Sequence, residues 1–362
     1  MYQNELRVIK KAGLFRDRAI FDDTFLDLAS NDYLGFAEDK ELFELAYKRV
    51  KSYKTHSPKA SQLLNGYHPI HKEFEDYLKH RNGFEDCILV GSGFLANLAL
   101  IEALPRKGDL LILDEEFHAS GVLASKLPTT NVEFFKHNDI LDLRNILKLH
   151  DYKRVIIAVE GVYSMGGDLL KQEIFDLADE FDALLIVDEA HSSGVLGKSF
   201  LGIYEHYNIT PKSNHIKMGT LGKAYGSYGA YILASLDIVL FLQNRAKSII
   251  YATAPSVFDT ALAYEAMMKI EDAEDAIRLK RDKVIKRVDE IFNQKIDSLI
   301  LKIDIGDNER AISLKDWAFK RGVLIGAIRP PTVKSAILRV ILRLNVDIDL
   351  IERFLIDLKE QL

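Results

Sequence analysis

Between about residues 85 and 235, short apolar runs alternate with longer amphipathic stretches. The runs are Cys87 to Val90, Leu110 to Leu113, Val132 to Phe135, Val155 to Val159, Leu184 to Val187, Ile216 to Met218 and Ala230 to Leu233. Runs this short that are apolar on both faces must be covered on both sides, and helices in the intervening stretches supply the cover. The pattern predicts an α/β layered domain built on a largely parallel sheet.

After Pro255 the rhythm changes. Phe258 to Asn293 is charged, with apolar residues near helical spacing, and predicts one long helix or two in tandem. Leu299 to Ile305 follows, then a predicted helix from Ser313 to Arg321, a strand around Leu338 to Leu344 and a terminal helix from Asp347 to Lys359. Mixed elements after a long connector predict a second, smaller α+β domain. The expected division is an N-terminal segment (1–40), a large α/β domain (41–255) and a connecting helix with a small C-terminal domain (256–362).

Composition narrows the function classes. With 362 residues, 48% of them hydrophobic, the chain can bury a large core. A formal charge of -6 gives no general attraction to nucleic acid or an anionic membrane. The single cysteine, Cys87, closes no intramolecular disulfide and supplies no multi-cysteine metal site, so a reducing, cytoplasmic setting and no metal are expected. The basic start lacks the apolar core of a secretory signal, and the most apolar window, Tyr228 to Leu242, is too short to span a bilayer.

Open parallel sheets bind ligands beyond the carboxyl ends of their strands. Three such edges carry chemistry: Asp188, Glu189, Ala190 and His191 after one run, Lys223 inside GTLGKAYG after another, and Gly91, Ser92 and Gly93 before the apolar stretch FLANLALIEAL. Each alone has an ordinary reading, since a strand-end aspartate also caps helices and a lysine between glycines is usually a solvated loop residue. Together they match the needs of pyridoxal 5'-phosphate: a lysine to join its aldehyde, a carboxylate for its ring nitrogen and helix-start amides for its phosphate. The string DEAH also occurs in helicases, but Gly197, Lys198 and Ser199 follow it where a phosphate loop would precede it, and Ser192 replaces the first glycine.

Seven ordered motifs carry a wider likeness: LASNDYLGF (28–36), GSGF (91–94), DEEFHAS (114–120), EGVYSMGGD (160–168), VDEAHSSGVLG (187–197), GTLGKAYGSYGA (219–230) and RPPTV (329–333) followed by Arg339. In these the chain resembles the α-oxoamine synthase family of fold-type I pyridoxal-phosphate enzymes, over most of its length. The resemblance implies a large seven-stranded domain with a small C-terminal domain, working as a homodimer with active sites at the subunit interface. It implies Lys223 as the residue joined to the cofactor, Asp188 as partner of the ring nitrogen, His191 at the phenolic oxygen and His118 stacked on the ring. Ser164 falls near the ring substituents, and the Gly93 and Phe94 backbone and Thr220 near the phosphate. Thr253 is placed to reach the neighbouring subunit's phosphate. Asn31 and Arg339 are implied near substrate, the arginine as carboxylate anchor, with Arg16 as a second carboxylate contact.

The activity implied is decarboxylative condensation of an amino acid, L-alanine, with a pimeloyl thioester carried by CoA or an acyl-carrier protein. Residues 55–67, THSPKASQLLNGY, depart from the family's glycine-rich stretch, Lys334 and Ala336 stand where relatives commonly have proline and glycine, and Gly166 replaces a common aspartate. Those departures bear on the acyl donor. Three other functions stay open on sequence alone: a sister synthase taking glycine with acetyl-CoA or serine with a long acyl thioester, an aminotransferase, and a noncatalytic binding protein on the same fold.

Overall fold

The computed structural model describes residues 1–12 and 14–362. All seven apolar runs are strands of one sheet: β1 (Asp86–Val90), β2 (Leu110–Asp114), β3 (Asn131–Phe135), β4 (Val155–Glu160), β5 (Leu184–Asp188), β6 (His215–Thr220) and β7 (Ala230–Ala234). Their order across the sheet is β1-β7-β6-β5-β4-β2-β3. Pairing is parallel from β6 across to β3, and β7 runs against both of its neighbours. The reversal has a chain-length cause. Residues 221–229 between β6 and β7 are too few for the crossover that a parallel return requires.

Alternate residues along the central strands enter two different apolar layers. Ile157, Val159, Leu185 and Val187 pack into one, and Ile156, Ala158 and Ile186 into the other. Both faces are therefore dry, and polar groups gather where the strands end. The helix α1 (Gly93–Ala103) belongs to the second layer, burying Ala96, Ala99, Leu100 and Ile101, and the hydroxyl of Ser92 caps it by accepting from the Leu95 amide.

The tandem-helix expectation resolves into two helices, α2 (Val257–Asp272) and α3 (Glu274–Phe292), broken at Ala273. Beyond them β8 (Ile300–Gly306), β9 (Gly326–Ile328) and β10 (Ala336–Ile341) form an antiparallel sheet with β10 in the middle. α4 (Asn308–Phe319) packs on this sheet, and α5 (Ile348–Lys359) packs against α3. α4 begins five residues before the expected Ser313, because Asp307 caps it by accepting from the Arg310 amide.

Near the N-terminus Leu26–Asp27 pairs in parallel with Val323–Leu324, and the Ile341 amide donates to the Leu28 carbonyl. Arg343 locks this arrangement from within, donating to Asp32 at 2.8 Å and to Glu38 at 2.7 Å. Residues 28–36 are thus held between the small sheet and the large one. Among the described residues, no helix is long and apolar enough to cross a membrane.

Candidate active site

The parallel register aligns the ends of β4, β5 and β6: Glu160 is the partner of Asp188, and Asp188 of Met218. Asp188 is buried, and each of its oxygens has a donor, the Ala190 amide at 3.0 Å and the Asn97 side-chain amide at 2.7 Å. Asn97 projects from α1 and also donates to the Ser120 hydroxyl at 2.9 Å. Ser120 lies 2.7 Å from His118 Nδ1, and its backbone N–H donates to the same nitrogen. That amide makes Nδ1 an acceptor, so in neutral His118 the proton is on Nε2. Asp188 and His118 are therefore set by one chain of bonds through Asn97 and Ser120.

Lys223 follows β6, in a loop pressed against two others. A side-chain carbon at Gly194 would stand 2.4 Å from Ala224 Cβ, and one at Gly226 would stand 2.5 Å from the Phe36 backbone; both glycines have positive φ. Glycine at these positions lets the 188–197 loop and residues 28–36 close on the lysine. The Lys223 amine lies 2.7 Å from His191 Nε2, and His191 Nδ1 lies 2.6 Å from the Tyr33 hydroxyl. Burial lowers the Lys223 pKa to about 8 although Asp188 and Glu160 oppose the shift. Burial, together with the charges of Lys223 and Arg339, holds His191 well below its ordinary value, so the imidazole is neutral.

A neutral imidazole has one donor and one acceptor, which links the protons along Tyr33–His191–Lys223. When the lysine is an ammonium it donates to Nε2, and Nδ1 then donates to Tyr33. When the lysine cannot donate, Tyr33 donates to Nδ1, and Nε2 presents its proton to the site.

Arg339 is buried, only 7% exposed. Its Nε donates to the Ser164 carbonyl at 2.7 Å and its Nη2 to Asn31 Oδ1 at 3.0 Å. Ser164 in turn donates its amide to Glu160 Oε2 at 2.9 Å. Burial, then the neighbouring Asp188, raise the Glu160 pKa well above the carboxylate range.

At the other side of the edge, the Gly93 and Phe94 amides head α1, where the helix ladder offers them no acceptor. A side-chain carbon at Gly93 would meet Thr220 at 3.7 Å, so Thr220 borders the same helix start, with its hydroxyl donated to the Gly229 carbonyl. The structure thus brings together Lys223, His191, Asp188, His118, Ser164, Asn31, Arg339, Gly93, Phe94 and Thr220. It leaves two expected site residues outside: Thr253 and Arg16 are both exposed, and neither bonds to this cluster. Three members have no role in the sequence reading: Tyr33, Asn97 and Glu160. Asn97 carried a signal, being the lone amide in an apolar helix.

The arrangement fits pyridoxal phosphate. An amine with a lowered pKa, a buried carboxylate and free helix-start amides gather at one strand edge, together with Asn97 and Glu160, whose buried Oδ1 and Oε1 have no partner among the described residues. The chain belongs to the aminotransferase class I and II family, whose sequence profile matches residues 23–355, and within it to the pyridoxal-phosphate-dependent α-oxoamine synthases. It is 41% identical over 347 residues to the 8-amino-7-oxononanoate synthase of Helicobacter pylori, covering 95% of this chain and 93% of that one. A putative 8-amino-7-oxononanoate synthase of Aquifex aeolicus is 36% identical, with 99% and 97% covered. Among solved structures, the 8-amino-7-oxononanoate synthase of Francisella tularensis superposes with a TM-score of 0.79 at 29% identity, covering 94% of this chain and 98% of that one. A serine palmitoyltransferase of Sphingomonas wittichii superposes at 0.88 with 23% identity, covering 99% and 97%, which shows a common fold.

Proposed function

We propose that this chain condenses L-alanine with a pimeloyl thioester to give 8-amino-7-oxononanoate, carbon dioxide and the free thiol. The observation that carries the reading is the Lys223 amine 2.7 Å from a neutral imidazole, at a strand edge that also holds Asp188. The relative at 41% identity over nearly the whole chain supports the particular substrates. Pyridoxal phosphate, when bound, supplies an aldehyde for the substrate amine and a ring that accepts the electron pair left on the α-carbon.

The protein's own groups do the rest. Asp188 would hold the ring nitrogen and, as a carboxylate, favour its protonated form. Arg339, steadied by Ser164 and Asn31, offers paired donors to the substrate carboxylate. Lys223, with a pKa of about 8, loses and regains a proton near neutral pH and is the base at the α-carbon. His191 presents Nε2–H once the lysine no longer donates to it. His118, held by Ser120, would pack against the cofactor ring, and the amides at the α1 start would hold its phosphate.

The working unit in this proposal is a cytoplasmic homodimer. Phe94, Tyr228, Tyr251 and Leu64 are large apolar side chains exposed on the single chain, and Thr253 stands exposed beside Tyr251. Thr253 would serve the partner's phosphate site, and Arg16 a substrate carboxylate. The acyl group arrives on CoA or on a carrier protein.

The test offers alanine, glycine and serine in turn with pimeloyl, acetyl and palmitoyl thioesters. Thiol release and product mass are the readouts. Product from alanine and the pimeloyl thioester at the highest kcat/KM supports the proposal. Preference for serine with the long-chain thioester, or amino transfer without thioester, overturns it.

A further inference from the structure

Two acids end neighbouring strands in this site, Asp188 and Glu160, and they are only 4% and 2% exposed. Two carboxyl groups so placed, out of water, do not both ionise readily; one keeps its proton. Their hydrogen bonds identify which. Asp188 has a donor on each oxygen, whereas Glu160 accepts from the Ser164 amide through Oε2 and, among the described residues, has no partner on Oε1. An ionised carboxylate is acceptor-only, and a bare charged oxygen in a protein interior is the costliest arrangement available.

We propose that Glu160 is the neutral acid of this site, a positioning residue that keeps its proton while Asp188 carries the charge. The groups that act on it are Asp188, Lys223 and Asp114, with Tyr33 and Tyr163 among its neighbours. Two consequences follow. A neutral Glu160 leaves Lys223 facing one negative charge in place of two, which removes one of the two charges that oppose the effect of burial on the amine. Through Oε2 the same side chain holds the Ser164 backbone, whose carbonyl holds Arg339. Glu160 therefore fixes the carboxylate anchor as well, a role that rests on the proposed use of Arg339 for the substrate carboxylate.

The test compares wild type with Glu160→Gln and needs neither alanine nor a thioester, so its outcome stands apart from the substrate assignment. The first readout is the infrared carbonyl band of a protonated carboxylic acid in the cofactor-loaded full chain. It is recorded above pH 8, where Glu75, whose burial raises its pKa to about 7, is mostly ionised. A band that shifts on ¹³C-glutamate labelling and vanishes in Glu160→Gln is expected. The second readout is the pH midpoint for covalent capture of added pyridoxal phosphate by cofactor-free chain. Exchange of one neutral group for another should leave that midpoint within about half a unit.

The proposal is overturned by the absence of a glutamate-labelled acid band, by a band that persists unchanged in Glu160→Gln, or by a midpoint that drops by about a unit or more, the mark of a lost negative charge. If the variant does not fold, the labelled wild-type spectrum decides alone: a surviving acid band supports the assignment and its absence refutes it.

Discussion

Deleting one oxygen from the buried site has a calculable effect. Tyr33 is fully buried, and among the described residues its hydroxyl is the only partner of His191 Nδ1, at 2.6 Å. Tyr33→Phe keeps the ring and its packing but strands that nitrogen in a place water does not reach. An unsatisfied buried polar group costs about 1–3 kcal/mol. Some of that cost falls on stability and lowers the melting temperature. The rest falls on the tautomer that His191 must present to the site. If the whole cost appears in the reaction, kcat/KM falls roughly 5- to 150-fold, at about 1.4 kcal/mol per decade. The assay is steady-state thiol release across pH, alongside a melting curve of the same preparation. Because the substituted hydroxyl no longer selects the Nδ1 partner, the pH profile should also move. A variant that melts like wild type, with unchanged kcat/KM and an unchanged profile, would refute the linked-proton account of Tyr33, His191 and Lys223.

Three further expectations test other parts of the molecule. Lys217 and Glu189 form a fully buried ion pair at 3.6 Å, so Lys217→Met should cost about 3–5 kcal/mol in denaturant unfolding by leaving Glu189 unpaired, and adding Glu189→Gln should recover most of it. His137 loses charge stability by burial, but its bonds to Asp114 and Asp168 outweigh that and push its pKa up to about 10. With the folded pKa above the unfolded one, its stabilisation is complete below about pH 6.5 and fades as pH rises through about 10; the melting-temperature gap between wild type and His137→Gln should shrink over that range. Arg339→Lys keeps the charge but loses the fork that engages Ser164 and Asn31, so KM for the amino acid should rise while KM for the thioester stays put, as read from crossed substrate titrations.

Much of this fold was readable because runs such as VIIAV and LLIV leave no face for water, and a strand covered on both sides belongs in an α/β sheet. Direction was not in those runs. It lay in the short link from Thr220 to Ala230, which carries no helix. Asp188, His191 and Lys223 were legible because they stand at strand ends or just past them. Tyr33 was not: its role depends on residues 28–36 being folded against the 188–197 loop, a contact that Gly226 and Arg343 arrange across the chain. Glu160 ends an apolar strand, and its burden appears only when Asp188 is seen in register beside it. Arg339 and Arg343 look alike in sequence, four residues apart. The structure separates them, giving one a neutral setting of Ser164 and Asn31 and the other the carboxylates Asp27, Asp32 and Glu38.

The central claim is that the Lys223 amine bonds covalently to the aldehyde of pyridoxal phosphate. Borohydride reduction of the loaded protein, followed by proteolysis and mass mapping, tests it directly. The account predicts one modified residue, Lys223, with loss of the visible absorbance and no label in Lys223→Ala. A reduced cofactor found on any other lysine, or on none, would contradict it.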